Sequence, residues 1–250
     1  MVDLWKGSSC RGPLVIAHRG GAALAAENTI AALEAATAAG ADAIETDVRL
    51  TRDGILVCVH DADLMRLCND PRAIADLELP TLRRLLPGMM TLREALVASN
   101  PLGILLDVKL NDECGVARII DQIQQADAGR RAIIGLRSLI LISAARARTA
   151  DIAILAFLDD PDAATAARAV GADWFRLWQG SVSAKRVDAV RKAGMRLAVM
   201  VGQPRVAPLP DYPPFPVGVV DSDGLAKIAA IAPDAILLDD PRLMTQGAVS

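Results

Sequence analysis

A chain of 250 residues with 52% hydrophobic side chains is long enough to bury a core without disulfides or metals, as one large α/β domain or two small ones. A net charge of −3 and the lack of a long basic run exclude a general nucleic-acid surface. Only three Trp, three Phe and one Tyr are present, too few for platforms that stack single strands. The first predicted strand, Leu14 to Ala17, ends abruptly in His18-Arg19-Gly20-Gly21. Glu27-Asn28-Thr29 then opens an Ala-rich helix to Ala39, with Asn28 or Thr29 as its N-cap and Gly40 as its stop. A strand containing Glu45 and Asp47 follows, then a turn at Asp53-Gly54 and a second apolar run, Ile55 to Val59, ending on His60.

From about 62 to 90 the pattern is broken by Pro71, Pro80 and Pro87, which predicts a short irregular insertion with one short helix. Thr91 to Ser99 reads as a helix, and Ile104 to Lys109 as a buried strand with Leu105, Asp107 and Lys109 on one face. Helices near Gly115–Gln125, Leu139–Arg148, Asp162–Val170 and Ser183–Ala193 then alternate with strands. The strands are expected near Ala132–Gly135, Ile152–Leu158, Trp174–Leu177, Arg196–Val201 and Ala235–Leu238. This alternation predicts a parallel sheet covered by helices. Nine candidate strands are one more than an eight-stranded TIM (β/α)₈ barrel needs, so one is a hairpin arm or not a strand. Polar residues recur at strand C-termini, where barrel enzymes assemble their sites, and this favours a single barrel over residues 1–250 rather than an open sheet. A Pro-rich segment at about 202–224 holds six of the fourteen prolines and would lie over the barrel mouth, as a lid or as an ordinary stiff connection.

Cys10, Cys58, Cys68 and Cys114 show neither a CxxC pair nor metal-ligand spacing, and Cys58 reads as a core residue. The N-terminal MVDLWKGSSCRG lacks the apolar centre of a signal peptide, and no apolar run is long enough to span a bilayer. The expected location is cytoplasmic, with reduced thiols. Subunit number is left open.

Chemistry gathers at the strand ends. Glu45 and Asp47 share a strand face; at about 5 Å and an effective dielectric of ~20, two such charges repel by roughly 3 kcal/mol. A shared proton, a basic partner or a bound cation must offset this. With Asp107 they form a set of hard oxygen ligands suited to Mg²⁺ or Ca²⁺. The only two histidines, His18 and His60, each end an apolar strand next to a charged neighbour, and imidazoles move protons near neutral pH. Arg19 and Lys109 add fixed positive charge for an anionic oxygen pair. Together these residues suit attack on a phosphodiester. The alternative is a structural ion network closing the barrel rim, with the acids already neutralised by the chain's own lysines and arginines.

HRG at 18–20, ENT at 27–29, ETDVRLTRDG at 45–54, HD at 60–61, DVK at 107–109 and the terminal LLDDP at 237–241 resemble the glycerophosphodiester phosphodiesterase family. The likeness is specific over the first 110 or so residues and loose afterwards. It implies a TIM barrel with an insertion after the strand ending at His60, a divalent cation held by Glu45, Asp47 and Asp107, and His18 and His60 as general acid and base. Arg19 and Lys109 fall where the family binds phosphate. The implied reaction hydrolyses a small-molecule glycerophosphodiester to an alcohol and a phosphomonoester. Three departures stand out. Asp107 takes a position usually held by Glu, Ala26 replaces the usual proline before ENT, and the Trp-Thr-x-Asn near the last strands is absent, Val199-Met200-Val201-Gly202 standing there instead. A rebuilt leaving-group wall points to a sugar-based or otherwise unusual phosphodiester. Phospholipase D-like action on a lysophospholipid or sphingolipid is the nearest alternative, and a non-catalytic anion-binding barrel the next.

Overall fold

The computed structural model describes residues 3–7, 12–204, 210 and 212–245. Its strands are β1 (Leu14–Ala17), β2 (Ala43–Leu50), β3 (Leu56–Cys58), β4 (Asp63–Leu64), β5 (Asp70–Ala73), β6 (Gly103–Val108), β7 (Ala132–Leu136), β8 (Ala153–Ala156), β9 (Trp174–Trp178), β10 (Arg196–Met200) and β11 (Ala235–Leu238). Eight of these, β1, β2 and β6 to β11, pair in parallel, and β1 bonds to both β2 and β11, which closes the barrel. The surplus strand is β3. It runs antiparallel to β2, as the short turn at Asp53-Gly54 requires, and so is a hairpin arm outside the barrel.

Alternation along the strands sorts the core into two layers. One parity of each strand (Ile16, Leu105, Ile133, Leu155, Trp174, Ala198) fills the barrel. The other (Ala17, Ile44, Leu106, Ile134, Ile154, Leu197) packs beneath the helices. At the N-terminal end the barrel is stoppered by Trp5, only 2% exposed, whose indole N–H donates to the Arg131 carbonyl at 2.7 Å. Trp174 meets it edge-on, with ring centroids 5.7 Å apart, and donates its own Nε1–H to the Trp5 carbonyl at 3.0 Å.

The helices are α1 (Ile30–Ala38), α2 (Met65–Cys68), α3 (Leu79–Leu85), α4 (Leu92–Ala98), α5 (Glu113–Gln125), α6 (Leu139–Arg148), α7 (Ala164–Ala169), α8 (Ala184–Lys192), α9 (Ser222–Ala230) and α10 (Arg242–Thr245). Thr29 is the N-cap of α1, accepting from the Ala32 amide at 3.2 Å, which frees Asn28 for other work. Thr91 and Glu94 cap α4 reciprocally. The insertion is more ordered than its prolines foretell. It holds α2, α3 and the small β4–β5 ladder around an apolar cluster of Val57, Val59, Leu64, Ile74, Leu77 and Leu82.

Two helices, α9 and α10, are absent from the sequence reading. Asp221-Ser222-Asp223-Gly224 looks like a turn, yet Asp221 caps α9 through the Gly224 amide at 2.8 Å. Of the Pro-rich segment, residues 205–209 and 211 lie outside the described residues, as does Cys10. Pro204 and Val217, at its two ends, line the mouth of the barrel. No helix among the described residues is long and apolar enough to cross a membrane.

Candidate active site

The chain leaves β1 through a left-handed residue, Arg19 (φ 52°), and a second, Asn28 (φ 58°), precedes α1. Neither is glycine, so each conformation costs on the order of 1 kcal/mol or more and must be held by its surroundings. The Arg19 amide donates to Glu45 Oε2 at 2.7 Å, and its guanidinium donates to Glu27 Oε2 at 2.9 Å. Asn28 donates through Nδ2 to Asp47 Oδ2 at 3.0 Å, while its Oδ1 accepts from Thr46 Oγ1 at 2.6 Å. These two bends therefore fasten onto the acidic strand.

Glu45, Asp47 and Asp107 are 2%, 1% and 6% exposed, and one carboxylate oxygen from each lies within 4.8 Å of the others. Parity puts Glu45 and Asp47 inside the barrel, and the β2–β6 register sets Asp107 directly beside Asp47. Lys109 donates to Asp107 Oδ2 at 2.6 Å, and its Nζ also lies 3.0 Å from Asp47 Oδ1. Arg137, at the end of β7, donates to Asp107 Oδ2 at 2.5 Å and to Oδ1 at 3.2 Å.

The acids consequently differ in charge. Burial is the largest influence and pushes all three carboxyls up, but it is outweighed at Asp47 by Lys109, His60, Arg19 and the Asn28 hydrogen bond acting together, and at Asp107 by Lys109 and Arg137 together. Both are held below their ordinary range. At Glu45 burial first, and then Asp47 and Asp107, outweigh the Arg19 amide and the weaker pull of Lys109, and the carboxyl is raised well above its ordinary value. The neutralisation by the chain's own cations is thus partial: it covers Asp107 and leaves Glu45 unmatched. Asp47 Oδ1 also lacks an aligned hydrogen bond although it is fully buried. Three converging carboxylates, one of them uncompensated and one with an orphaned oxygen, fit a hard divalent cation.

Two imidazoles flank the acids. His18 is 5% exposed; its Nδ1 is 2.6 Å from Asp239 Oδ1, just beyond β11, and its Nε2 is 3.9 Å from Glu45 Oε2. His60, beyond β3, has Nδ1 2.7 Å from Asp61 Oδ1, which leaves Nε2 available. Arg49 grips the His60 carbonyl at 2.8 and 2.9 Å, and Arg66 bridges Asp61 and Glu27. Burial, then Lys109 and Arg19, lower the His60 pKa against the opposing pull of Asp47, so near pH 7 it is neutral.

His18, Arg19, Glu45, His60, Asp107 and Lys109 line one cavity of about 380 Å³, and Asp47 lies under it against Lys109. All seven residues singled out in the sequence are therefore brought together. The two cations expected to serve an anionic oxygen pair are also engaged by the chain's own carboxylates, Arg19 by Glu27 and Lys109 by Asp47 and Asp107. Sequence reasoning missed Asp239, Arg137 and Arg176 as members, and treated Asn28 only as a candidate cap. Asp239 and Arg137 carried a usable signal, each being a charged residue just past an apolar strand. Arg176 carried the same signal as Glu45, a charge inside a buried strand.

Eight parallel strands with a charged cavity at their C-terminal ends place the chain among (β/α)₈ barrels of the enzyme type. Residues 18–200 match the glycerophosphoryl diester phosphodiesterase family, and the chain belongs to it. A relative called probable glycerophosphodiester phosphodiesterase 1, from Mycobacterium tuberculosis, is 49% identical over 73 residues, 29% of this chain and 27% of its own length. The glycerophosphodiester phosphodiesterase of Caldanaerobacter subterraneus is 46% identical over 76 residues, 30% of this chain and 31% of its own length. Each of these matches thus spans less than a third of the curated relative. Among solved structures, an Oleispira antarctica phosphodiesterase in complex with the product sn-glycerol-3-phosphate shares the fold at a TM-score of 0.78 and 23% identity, over 96% of this chain and 98% of the other. The Thermotoga maritima glycerophosphodiester phosphodiesterase does so at 0.75 and 22%, over 95% and 99%.

Proposed function

We propose that the chain is a divalent-cation-dependent phosphodiesterase that hydrolyses a glycerophosphodiester or a related phosphodiester to an alcohol and a phosphomonoester. One observation carries this reading: two imidazoles, each tied through Nδ1 to a carboxylate, stand on one cavity with three converging acids. Mg²⁺ or Ca²⁺ held by Glu45, Asp47 and Asp107 would neutralise charge developing on the phosphoryl oxygens. His60, neutral near pH 7, takes the proton from the attacking oxygen of water or of a substrate hydroxyl. His18, oriented by Asp239, delivers a proton from Nε2 to the departing oxygen, so one proton enters and one leaves the pair. Lys109 has three N–H donors, of which one bonds Asp107 while Asp47 lies 3.0 Å from its charge, and a free donor would reach a phosphoryl oxygen. Arg19, whose Nε has no hydrogen-bond partner, is the second phosphate contact. Residues 1–250 are proposed to act as one domain, located in the cytoplasm.

The absent Trp-Thr-x-Asn supports a substrate other than the common head-group esters. At this place the chain is closed over itself: Gly202 (φ 74°) lies so near Pro216 that a Cβ would fall 2.0 Å from its carbonyl oxygen. The substrate proposed for this altered wall is a sugar-based phosphodiester. Phospholipase-like action has one observation in its favour. A largely apolar cavity of about 460 Å³, lined by Ala22, Ala25, Leu67, Leu85 and Met89, shares His60 with the catalytic cavity and has room for an acyl chain.

The test is a panel of glycerophosphocholine, a sugar phosphodiester and a lysophospholipid, assayed in chelator and again with each cation restored. Turnover that needs the cation and favours the sugar ester is expected. Activity undiminished in chelator removes the metal from the proposal, and a strong preference for glycerophosphocholine removes the sugar.

A further inference from the structure

Arg176 sits on the inward parity of β9, 3% exposed, at the edge of the catalytic cavity. No carboxylate among the described residues pairs with it. Its Nη2 reaches only the carbonyls of Phe157 and Leu158, at 3.5 and 3.4 Å, and its Nε is buried without a partner. Asp107 is already taken by Lys109 and Arg137, and Asp159 is exposed on the rim, so both act on Arg176 only through space. Two aromatic faces hold the guanidinium instead: the Phe157 ring at 5.3 Å and the Trp178 ring at 4.8 Å. Stacking of this kind fixes the plane of an arginine while leaving its in-plane N–H groups to find an acceptor. Arg137 lies over the same Phe157 ring at 5.6 Å, so two positive charges share this wall. Burial, with Arg137 adding to it, lowers the Arg176 pKa to about 10, which still leaves it charged at neutral pH.

A buried, charged guanidinium with unfilled donors is costly unless something negative arrives. The cavity it lines is the one that would hold a phosphodiester, and the phosphate itself belongs to the acids and imidazoles on the opposite wall. We propose that Arg176 determines specificity by binding a second anionic oxygen pair, a carboxylate or a phosphate, carried by the alcohol that leaves the substrate. The inference rests on the phosphodiesterase reading and names its substrate class: doubly anionic phosphodiesters, rather than the cationic choline or ethanolamine esters. A guanidinium facing a cationic head group would repel it, which accords with the altered leaving-group wall.

The experiment compares three glycerophosphodiesters whose second alcohol is glycerol, glycerate or glycerol phosphate, in the metal-loaded full chain. A charge-assisted pair makes kcat/KM for at least one anionic ester about ten- to a hundredfold above that of the glycerol ester. In Arg176→Met the ratio falls to near unity, and in Arg176→Lys, which keeps the charge without the planar fork, it falls part of the way. Only the ratio within each variant is read, so a general loss of activity does not enter. Equal or poorer use of both anionic esters by the wild type overturns the proposal, whether or not the Met variant folds; so does a ratio retained in that variant. Calorimetric binding of the same esters in chelator separates the two readings. Tighter anionic binding that Arg176→Met abolishes, with no turnover of any ester, sinks the phosphodiesterase and keeps the arginine. Turnover without anionic preference does the reverse.

Discussion

The two halves of the barrel mouth solve the same problem in opposite ways. On the side of β1, β2 and β6, buried carboxylates are held by a backbone amide, Asn28 and Lys109, contacts that do not offset the burial and repulsion raising Glu45. Across the cavity, on β9, the buried guanidinium of Arg176 rests on aromatic faces and carbonyls, with no carboxylate paired to it among the described residues. The first half is prepared for a cation and the second for an anion. A phosphodiester spanning the gap would find its charge stabilised from one side and its leaving group recognised from the other. Unmatched charge in each half, rather than the number of ion pairs, marks where a ligand belongs.

The division of labour breaks most visibly at His60. His60→Ala is expected to lower kcat by about 10²–10⁴-fold, the usual yield of general acid–base catalysis, with Tm nearly unchanged because the ring is partly exposed at the rim. Near-normal turnover would take His60 out of the chemistry. A smaller effect is expected on the acidic side from Asn28→Ala, which removes the donor to Asp47 Oδ2 and the acceptor for Thr46. Support of this kind is worth about 10–100-fold in metal affinity, readable by calorimetry. Unchanged affinity would mean that the acids orient themselves.

The smallest effect is thermodynamic and reverses sign with the metal. A buried acid whose folded pKa is raised binds its proton more tightly folded than unfolded, so ionisation destabilises the fold. In the metal-free protein, stability contributed by protonated Glu45 should therefore be intact below the unfolded value near 4.5 and decline as pH rises towards the raised folded value. Glu45→Gln, which keeps an acceptor for the Arg19 amide, removes this decline. At neutral pH a gain on the order of 1 kcal/mol would raise the metal-free Tm by about 2–4 °C, closing at acid pH. With Mg²⁺ or Ca²⁺ added, the wild type should become the more stable of the two. A lower metal-free Tm for the variant contradicts the repulsion at the centre of the acidic half.

The grouping of the acidic half was legible in the sequence, whereas in the basic half single charges were signalled but their grouping was not, for a physical reason. Glu45 and Asp47 are two apart on one strand, and His18, His60 and Asp107 all end apolar runs, so period-two alternation and the barrel rule suffice to join them. Arg137, Phe157, Arg176 and Trp178 come from three different strands, and their relation is set by barrel closure and shear, which no local pattern encodes. Lys109 shows the limit from the other side. Its face was deducible, but its partner depends on the β2–β6 register, which brings Asp47 level with Asp107. The helix after the Pro-rich segment escaped because its cap, Asp221, sits in a stretch whose composition reads as turn.

The stopper at the far end of the barrel carries a consequence for how the chain is made. Trp5 is anchored by the Trp174 indole through its carbonyl, and the Arg196 guanidinium holds that same carbonyl at 3.3 Å as well as the carbonyl of Gly7. Those two partners lie 169 and 191 residues further along the chain than Trp5. The floor of the barrel therefore cannot close until the chain has been made through β10.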